Sequence, residues 1–479
     1  MTDVFLGVDV GTSGVKAILV GDAGDVAAEA TTPLGMSTPR PGWAEQDPED
    51  WWRASVASIR DVLAKRPGVR VRSVGISGQM HSSVFLDRAG AQITRRAGGE
   101  ERLRDLVSNP ALEGFTLPKV LWLREEEPEA YARVATVLLA KDFVRYRLTG
   151  AIATEPSDAS GTLMFDVARG RWSDELLAAV DVPRALLPDV GDSAEVLGRL
   201  TAEGAAATGL PRDTPVVGGG ADNACGAAGV GAVAPGEAVA SWGTSGTVLA
   251  PTARPVVDPW LRAHTFRHVL PRTWYVMGVV LSAGGAFAWF RDQLARELAG
   301  DPAPDARLDQ EAAAIPRGAG GVTFLPYLQG ERTPHRDASM RGAFLGMSLA
   351  HGRAHLTRAV LEGVCFALRD SLSILGELGL APRTLLLTGG GAKSAFVRRM
   401  QAEVYGLPVC TVNREEGPAY GAALLAAVGA GAFPDLAAAA RATLARSELE
   451  SPDPAAHREY DAPYARFRAS SGAARPMVR

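Results

Sequence analysis

The sequence is poor in cysteine, in net charge and in long apolar segments, and each shortage excludes a class of protein. Its three cysteines, Cys225, Cys365 and Cys410, are scattered and form no CxxC pair or Cys/His cluster. Isolated cysteines argue against a disulfide scaffold or a zinc site and are typical of free thiols in a reducing cytosol. A formal net charge of −4 offers no basic surface for nucleic acid.

No stretch is apolar for long enough to predict a membrane span. The best candidate, 422–433, is mostly alanine and glycine and ends at Pro434, short of the roughly 20 residues that a span needs. The first residues run straight into a strand pattern without a basic segment or cleavage site, so no secretory signal is predicted. These features predict a cytoplasmic protein that binds neither membranes nor nucleic acid.

Two common phosphate motifs are also lacking. The P-loop pattern GxxxxGK[ST] does not occur, and Gly389–Ser394 only ends like one. His335-Arg336-Asp337 resembles a protein-kinase catalytic loop, but Gly342 stands where that loop requires asparagine. An anionic ligand must therefore be held by other backbone amides, by a lysine or by a metal ion.

What the sequence does contain is the tetrapeptide GTSG twice, half a chain apart. Gly11–Gly14 and Gly243–Gly246 each separate two runs of β-forming residues, so both are predicted hairpin turns. Glycine lets the backbone approach a ligand, and successive amides of such a turn can bind an anion. One copy is an ordinary turn, but two in matching contexts indicate duplicated domains that hold the two ends of a polyphosphate.

Strand and helix patterns alternate in both halves, which predicts an α/β protein. A chain of 479 residues is too long for one core, and the Gly- and Pro-containing segment 230–236 suggests domains 1–232 and 233–479. A C-terminal helix with Tyr460, Tyr464 and Phe467 on one face is predicted to pack back on the body. The predicted strands are 4–10, 16–20, one from Val26, 71–76, 237–242, 247–250, 273–280 and 385–387, and the main helices begin at Pro48, Gly284 and His355.

Taken in order, these segments resemble the FGGY carbohydrate kinase family. LGVDVGTSGVKA (6–17) resembles its first phosphate loop, GISGQMH (75–81) its sugar-binding segment, and GGGADNACGAAG (218–229) the segment with its catalytic aspartate. The second GTSG, the segments from Gly114, Gly330 and Arg341, and TGGGAKS (388–394) complete the set. Any one piece is weak, but the ordered set is specific and spans nearly the whole chain.

The resemblance implies an α/β fold of the actin/hexokinase type, with two duplicated ribonuclease H-like domains and an interdomain cleft for ATP and sugar. It implies ATP- and Mg²⁺-dependent phosphorylation of a sugar, D-xylulose first, with another ketose or a polyol as the alternative. A catalytically impaired sugar-binding protein is the rival from a different class. By analogy with members of that family, the protein is expected to form a homodimer.

Two aspartates are the expected catalytic residues. Asp222 follows a strand and three glycines, where a carboxylate can deprotonate an attacking hydroxyl; the alternative is an N-cap aspartate. Asp9 lies in an otherwise apolar strand directly before the first turn, where a hard carboxylate suits Mg²⁺, with water between them. The alternative for Asp9 is a solvent-facing strand residue.

The resemblance also assigns the residues that bind the two substrates. Six of them have open alternatives: Lys16 as a solvated lysine, Gly284 as close packing, the three residues 390–392 as a plain turn and His81 as a surface residue. The sugar is assigned to Gln79, Met80, His81, Asp222 and Asn223, and ATP to Gly11, Thr12, Ser13, Lys16, Gly243, Thr244, Gly284, Gly390, Gly391 and Ala392.

One departure from the family follows Arg96. A Pro-x-x-x-Trp-x-Asp-x-Arg-like stretch is missing there, and Arg96 runs almost directly into Ala97-Gly98-Gly99. Because the tryptophan of that stretch helps to wall the sugar site in relatives, its loss predicts weaker sugar binding.

Overall fold

The computed structural model of the chain describes residues 2–38, 45–80, 99–112, 114–414 and 417–474. In chain order its strands are β1 Thr2–Val10, β2 Gly14–Gly21, β3 Val26–Pro33, β4 Val69–Gly78, β5 Ala153–Thr154, β6 Phe165–Asp166, β7 Arg171–Trp172, β8 Asp189–Val190, β9 Val196–Arg199, β10 Pro215–Val217, β11 Gly220–Ala221, β12 Glu237–Trp242, β13 Gly246–Thr252, β14 His264–Arg267, β15 Trp274–Val280, β16 Thr323–Leu325, β17 Ala343–Leu345, β18 Thr384–Gly389 and β19 Val409–Cys410.

The described helices lie around these strands. They are Pro48–Lys65, Glu100–Val107, Thr116–Glu126, Pro128–Tyr131, Ala140–Thr149, Pro156–Ala159, Asp174–Val180, Ala202–Thr208, Asp222–Gly229, Gly284–Leu294, Pro304–Ala313, Arg353–Glu377, Ala395–Tyr405, Gly417–Gly429, Leu436–Thr443, Pro454–Glu459 and Asp461–Ala474. Within the described residues, none of the helices combines the length and apolar character that a membrane span requires.

Two mixed sheets repeat one topology. The first has the order β3-β2-β1-β4-β10-β9, with β11 also on β4, and the second has the order β14-β15-β13-β12-β18-β19. Five strands of each sheet correspond, in the orders β3-β2-β1-β4-β10 and β15-β13-β12-β18-β19. In both sets two antiparallel strands extend one side of the first strand in the chain (β1 or β12) and two parallel strands extend the other side, whereas β9 and β14 are additional antiparallel edge strands. The shared order confirms the duplicated α/β fold that the two GTSG hairpins predicted.

The alternation of side chains along the described strands places most of their buried apolar residues in three large cores, and Phe5 of β1 belongs to a small fourth cluster with Ala426 and Ala427. On β13, Val248 faces a core within the second half, whereas Leu249 faces a core shared by both halves. On β1, Val8 belongs to a third core within the first half. The shared core lies between the sheets, so the two halves are packed together by apolar burial.

Small-residue helices fill this shared core. Gly417–Gly429, from the second half, packs against β1 and β4 of the first sheet and against the helix Asp222–Gly229. The approach is close, because a Cβ at Gly421 would lie 1.9 Å from the carbonyl oxygen of Cys225. The helix that begins at Asp222 is thereby placed between the two sheets.

Local signals predicted the elements well. Asp47 caps the first helix by accepting a hydrogen bond from Glu49 N at 2.9 Å, as predicted. The C-terminal helix is not continuous, since one helix ends at Glu459 and the next begins at Asp461. The aromatic face expected there is nevertheless buried in the second half.

Candidate active site

The first GTSG turn joins β1 to β2, with two charged side chains beside it. Gly11 N donates to Gly14 O at 3.0 Å and closes the hairpin, and Asp9 pairs with Lys16 across it. Lys16 forms an ion pair with Glu29 of β3 at 2.7 Å. The lysine is thus engaged with its own sheet, which favours the alternative of a strand lysine over a phosphate contact.

Asp9 lies one residue before the end of β1 and is partly exposed. Ser77, its neighbour on β4, donates a hydrogen bond to Asp9 Oδ1 at 3.0 Å. Burial raises the pKa of Asp9 to about 6, against the opposing effects of Ser77 and of the charge of Lys16. A poorly solvated carboxylate of this kind is stabilised by a cation or a proton beside it.

Two glutamines connect the first turn with the end of β4. Thr12 Oγ1 donates to Gln79 Oε1 at 2.6 Å, and Gln79 Nε2 donates to Gln46 Oε1 at 3.2 Å. Gln46 Nε2 donates in turn to Thr12 O at 2.8 Å. Gln79, predicted as a sugar contact, therefore contacts the turn predicted to bind phosphate. Sequence reasoning missed Gln46, because no motif links it to Thr12.

Asp222 follows β11 at the same edge of the sheet as Asp9. This happens because β11 pairs with β4, where Gly220 stands opposite Ser77. Oδ1 of Asp222 accepts hydrogen bonds from the backbone N–H of Asn223 at 2.6 Å and from its side-chain Nδ2 at 2.8 Å. The carboxylate is thus fixed from one side and stays partly exposed.

The helix begins with Asp222 as its first helical residue, and its N-cap is Ala221. The alternative assignment of Asp222 as a capping residue is therefore wrong. Burial, followed by the charge of Asp9, raises the pKa of Asp222 to about 7, although hydrogen bonds from Asn223 and the Met80 backbone lower it. A carboxyl group with this pKa can both hold and release a proton at neutral pH.

Side chains of both halves meet at Met80. Its sulfur lies 3.9 Å from Asn223 Nδ2 and 3.8 Å from the hydroxyl of Tyr275 on β15. Sequence reasoning missed Tyr275, because only the packing of the two sheets brings β15 to this place. His81 and the missing stretch after Arg96 lie outside the described residues.

The second GTSG turn is bonded to the start of a helix. Gly284 N donates to Gly243 O at 2.8 Å, and the N–H groups of Ala283 and Gly285 donate to Thr244 O at 3.0 and 2.9 Å. A Cβ at Gly284 would lie 2.5 Å from Gly243 O. The close-packing alternative for Gly284 is thus present, and its amide already has a protein acceptor.

A cavity of about 980 Å³ opens beside the second turn. Trp242, Lys393 and Ser394 also line it and were not predicted as binding residues, although Trp242 directly precedes Gly243 and Lys393-Ser394 directly follow Ala392 in the sequence. A Cβ at Gly391 would lie 2.6 Å from the Trp242 ring, so the absence of a side chain there lets backbone lie on the indole. Five residues predicted to bind ATP line the cavity, namely Gly243, Thr244, Gly284, Gly390 and Gly391.

The remaining residues predicted for ATP lie elsewhere. Ala392 is not in the lining of this cavity, and its carbonyl accepts a hydrogen bond from Arg398 at 2.8 Å. Gly11, Thr12, Ser13 and Lys16 belong to the first turn and do not line it either. The predicted ATP residues thus form two groups, one in each half.

A smaller cavity of about 290 Å³ is lined by residues of both halves. Asp222 and Asn223 line it from the first half, and Ser241, Thr388 and Gly389 line it from the second. Because Trp242 and Gly390 line the larger cavity, the ends of β12 and β18 border both spaces. The two cavities therefore adjoin at these strand ends.

Within the described part of the chain, no group of three or more His, Cys, Asp or Glu side chains is arranged to hold a metal ion. Asp9 and Asp222 still offer carboxylate oxygens at one edge of the cleft. This donor set fits Mg²⁺, which commonly takes one or two carboxylates and completes its shell with water and phosphate oxygens.

Duplicated domains, two acids at the edge of one sheet and a glycine-lined cavity at the end of the other define a phosphotransferase of the actin/hexokinase type. The chain belongs to the FGGY family of carbohydrate kinases: the N-terminal domain model matches residues 4–96 and 89–229, and the C-terminal domain model matches 238–430. The protein is therefore an enzyme that transfers phosphate from ATP to a sugar.

Similar proteins share most of the chain. It is 40% identical to a xylulose kinase of Bacillus subtilis (strain 168) over 90% of this chain and 89% of that protein. It is 39% identical to a xylulose kinase of Escherichia coli (strain K12), over 89% and 90%. The crystal structure of a xyloylose kinase from Brucella ovis superposes with a TM-score of 0.89 at 36% identity, covering 99% of this chain and 100% of that one.

Proposed function

We propose that this carbohydrate kinase transfers the γ-phosphoryl group of ATP to the terminal hydroxyl of D-xylulose, giving D-xylulose 5-phosphate. The observation that carries the proposal is the position of the Asp222 carboxyl group, which lines a cavity formed by both halves, where burial raises its pKa. Identity of about 40% with xylulose kinases over most of the chain supports this choice of sugar.

Asp222 is the general base of the proposed reaction. Its carboxylate accepts the proton of the sugar hydroxyl while the hydroxyl oxygen bonds to the γ-phosphorus. The bond between that phosphorus and the β–γ bridging oxygen breaks, and ADP leaves. Asn223 holds the carboxylate through two hydrogen bonds, and Met80, with His81 as predicted, contacts the sugar.

ATP is proposed to lie across both halves. The adenosine occupies the 980 Å³ cavity against Gly390, Gly391 and the Trp242 ring, and the phosphates extend toward Asp222 between the two GTSG turns. Thr12, Ser13 and Thr244 are exposed. The hydroxyls of Ser13 and Thr244 are placed to donate hydrogen bonds to phosphate oxygens, whereas that of Thr12 can do so only when its hydrogen bond to Gln79 is released. Gly284 contributes by letting its helix approach the second turn.

Asp9 is the proposed Mg²⁺ residue, through a bridging water. Bound Mg²⁺ would supply positive charge that offsets the charge of the phosphates. Asp9 is partly exposed beside the first turn, and the hydrogen bond from Ser77 fixes the orientation of its carboxylate. The neighbouring charge of Asp222 adds to the demand for a cation at this place.

A screen of ADP release with ketoses, aldoses and polyols tests the proposal. We expect D-xylulose to give the highest kcat/KM, with Asp222→Asn as the blank for sugar-independent ATP hydrolysis. A polyol or another ketose that exceeds D-xylulose by 10-fold or more would replace it as substrate. Calorimetric sugar binding without turnover of any sugar would instead establish the impaired binding protein.

A homodimer and a cytoplasmic location remain predictions from the relatives and the composition. Light scattering of the purified protein tests the first, since a mass near 50.2 kDa is that of one chain and a mass twice as large is that of a dimer. Cell fractionation tests the second.

A further inference from the structure

The backbone just before Asp222 is held by residues that lie outside both cavities. Arg145 Nη1 donates to Gly218 O at 2.9 Å, and Gly219 N donates to Ser193 O at 2.9 Å. The N–H of Ala221 donates to Ser157 Oγ at 3.0 Å. Ala221 directly precedes Asp222. The Ser157 hydroxyl therefore helps to fix the backbone position from which the Asp222 side chain extends.

Glu155 determines which way that hydroxyl points. Oε1 of Glu155 accepts the hydroxyl proton of Ser157 at 2.8 Å. A serine hydroxyl has one proton, so its oxygen is left to accept the hydrogen bond from Ala221. Glu155 is itself fixed by Ser193 Oγ, which donates to Oε2 at 2.7 Å, and by two N–H groups of its own turn.

A buried lysine connects this group with the end of β4, which forms part of the predicted sugar-binding segment 75–81. Lys141 Nζ lies 2.6 Å from Asp142 Oδ1 and 3.6 Å from Glu155 Oε1, and all three side chains are almost completely buried. Lys141 lies directly against Gly78, where a Cβ would come within 2.9 Å of the lysine Cβ. Gly78 pairs with Ala221, so one ionic group supports both strands that border Asp222.

The placement of these charges points to function rather than to stability. Burying ionic groups commonly costs as much free energy as their attraction returns, and an apolar replacement is often as stable. The buried ionic cluster of Lys141, Asp142 and Glu155 nevertheless lies next to Gly78 and Ala221, so its benefit is to hold the backbone beside Asp222 in place. This matters because a displacement of about 1 Å in a catalytic group can lower the rate about 100-fold.

We infer that Glu155 and Ser157 are positioning residues for phosphoryl transfer, which act by fixing the backbone of Ala221 and thereby the carboxylate of Asp222. This inference rests on the proposed role of Asp222 as the base.

A double-mutant cycle tests it. Ser157→Ala removes the acceptor for Ala221 N–H, and we expect kcat with D-xylulose to fall by about 10-fold to 100-fold, while the KM and the calorimetric Kd for ATP stay within about 2-fold, since that site lies mainly in the other half. In an Asp222→Asn background, the same change should lower kcat no further. Thr208→Val is the matched control: Thr208 is also a buried hydroxyl that accepts a backbone N–H, from Leu210 at 3.3 Å, but it lies in a peripheral helix.

The outcomes separate the two proposals. Turnover by Asp222→Asn close to that of the parent would remove the base itself. An inactive Asp222→Asn together with a parental kcat in Ser157→Ala, or equal losses in both backgrounds, would overturn only the positioning role. Ser193→Ala, which removes one hydrogen bond to Glu155, gives a reading if Ser157→Ala does not fold: we expect kcat to fall severalfold, and an unchanged kcat overturns the inference.

Discussion

The two GTSG turns have one sequence and one hairpin topology, but they have different partners. Side chains surround the first turn: Thr12 bonds to Gln79 and Gln46, and Asp9 lies beside it. Backbone surrounds the second, whose carbonyls accept the N–H groups of Ala283, Gly284 and Gly285. The first turn therefore borders the acids, and the second borders the large cavity.

This difference teaches that a duplicated fold can divide one reaction between its copies. An identical tetrapeptide supplies the same short, glycine-bounded turn in each half, but the following elements decide its surroundings. In the first half the residues at or just beyond the strand ends are Ser77 and Gln79 at β4 and Asp222 after β11. In the second half they are Trp242 at the end of β12, Gly284 at the start of the helix after β15, and Gly390 after β18. These three residues offer space and an aromatic face rather than charge.

The largest effect is expected from removing the acidic group beside the first turn. Asp222→Asn keeps the size of the side chain but removes the proton acceptor, so kcat with D-xylulose should fall by about 10²- to 10⁴-fold. Thermal melts should show a folded protein, and calorimetry should show ATP binding close to that of the parent. A kcat within a few-fold of the parent would remove Asp222 from the mechanism.

Valine in place of threonine tests whether the turns differ as their partners suggest. Thr244→Val should weaken ATP binding by about 10- to 100-fold, equivalent to about 1.5–3 kcal/mol for a hydrogen bond to a charged group, and leave sugar binding intact. Thr12→Val should weaken both, because it also releases Gln79 next to Met80.

Calorimetry of ATP and of sugar on each variant makes the measurement. Thr273→Val is the control. Thr273 directly precedes β15, and the second turn lies at the other end of that strand, where Val280 pairs with Gly246. Unchanged ATP binding in both turn variants would exclude the two-turn arrangement for the phosphates.

Alanine substitutions sharpen the contrast in packing at the second turn. Gly284→Ala places a Cβ 2.5 Å from Gly243 O, whereas Gly243→Ala meets its nearest atom at 3.4 Å. We expect Gly284→Ala to lose about 1–3 kcal/mol of stability through overpacking and Gly243→Ala to lose much less. Denaturant unfolding measures both, and equal losses would contradict the close contact of helix and turn.

The pH dependence of the reaction should report on Asp222, beside the first turn, and not on the residues of the second turn. Because the pKa of Asp222 is raised to about 7 and the base acts when ionised, kcat/KM for the sugar should be constant well above pH 7. It should fall below pH 7, by about 10-fold for a full pH unit. A direct assay of the phosphorylated product avoids pH effects on coupling enzymes, and a flat profile between pH 6 and pH 8 would contradict the raised pKa.

Much of the fold was predictable because its signals are local. The hairpins around GTSG, the capped start at Asp47 and the glycine-opened helix at Gly284 depend on neighbouring residues, and all occur in the structure. The prediction that Tyr460 shares one helix with Tyr464 and Phe467 was wrong in one detail, because no local signal marks the break at Tyr460 between two helices. Gln46, Trp242 and Tyr275 were missed, because their positions at the site depend on distant strands.

By itself, the sequence determined the two half-chains, their hairpins and the chemical character of Asp9, Asp222 and the glycine turns, because periodicity and glycine content act over a few residues. Only the tertiary structure decided that Ala221 rather than Asp222 caps its helix, that Gly284 N–H is already bonded, and that Glu155 and Ser157 lie behind the carboxylate. These depend on contacts between strands and helices far apart in the chain, and the packing of two sheets around shared helices is what brings them together.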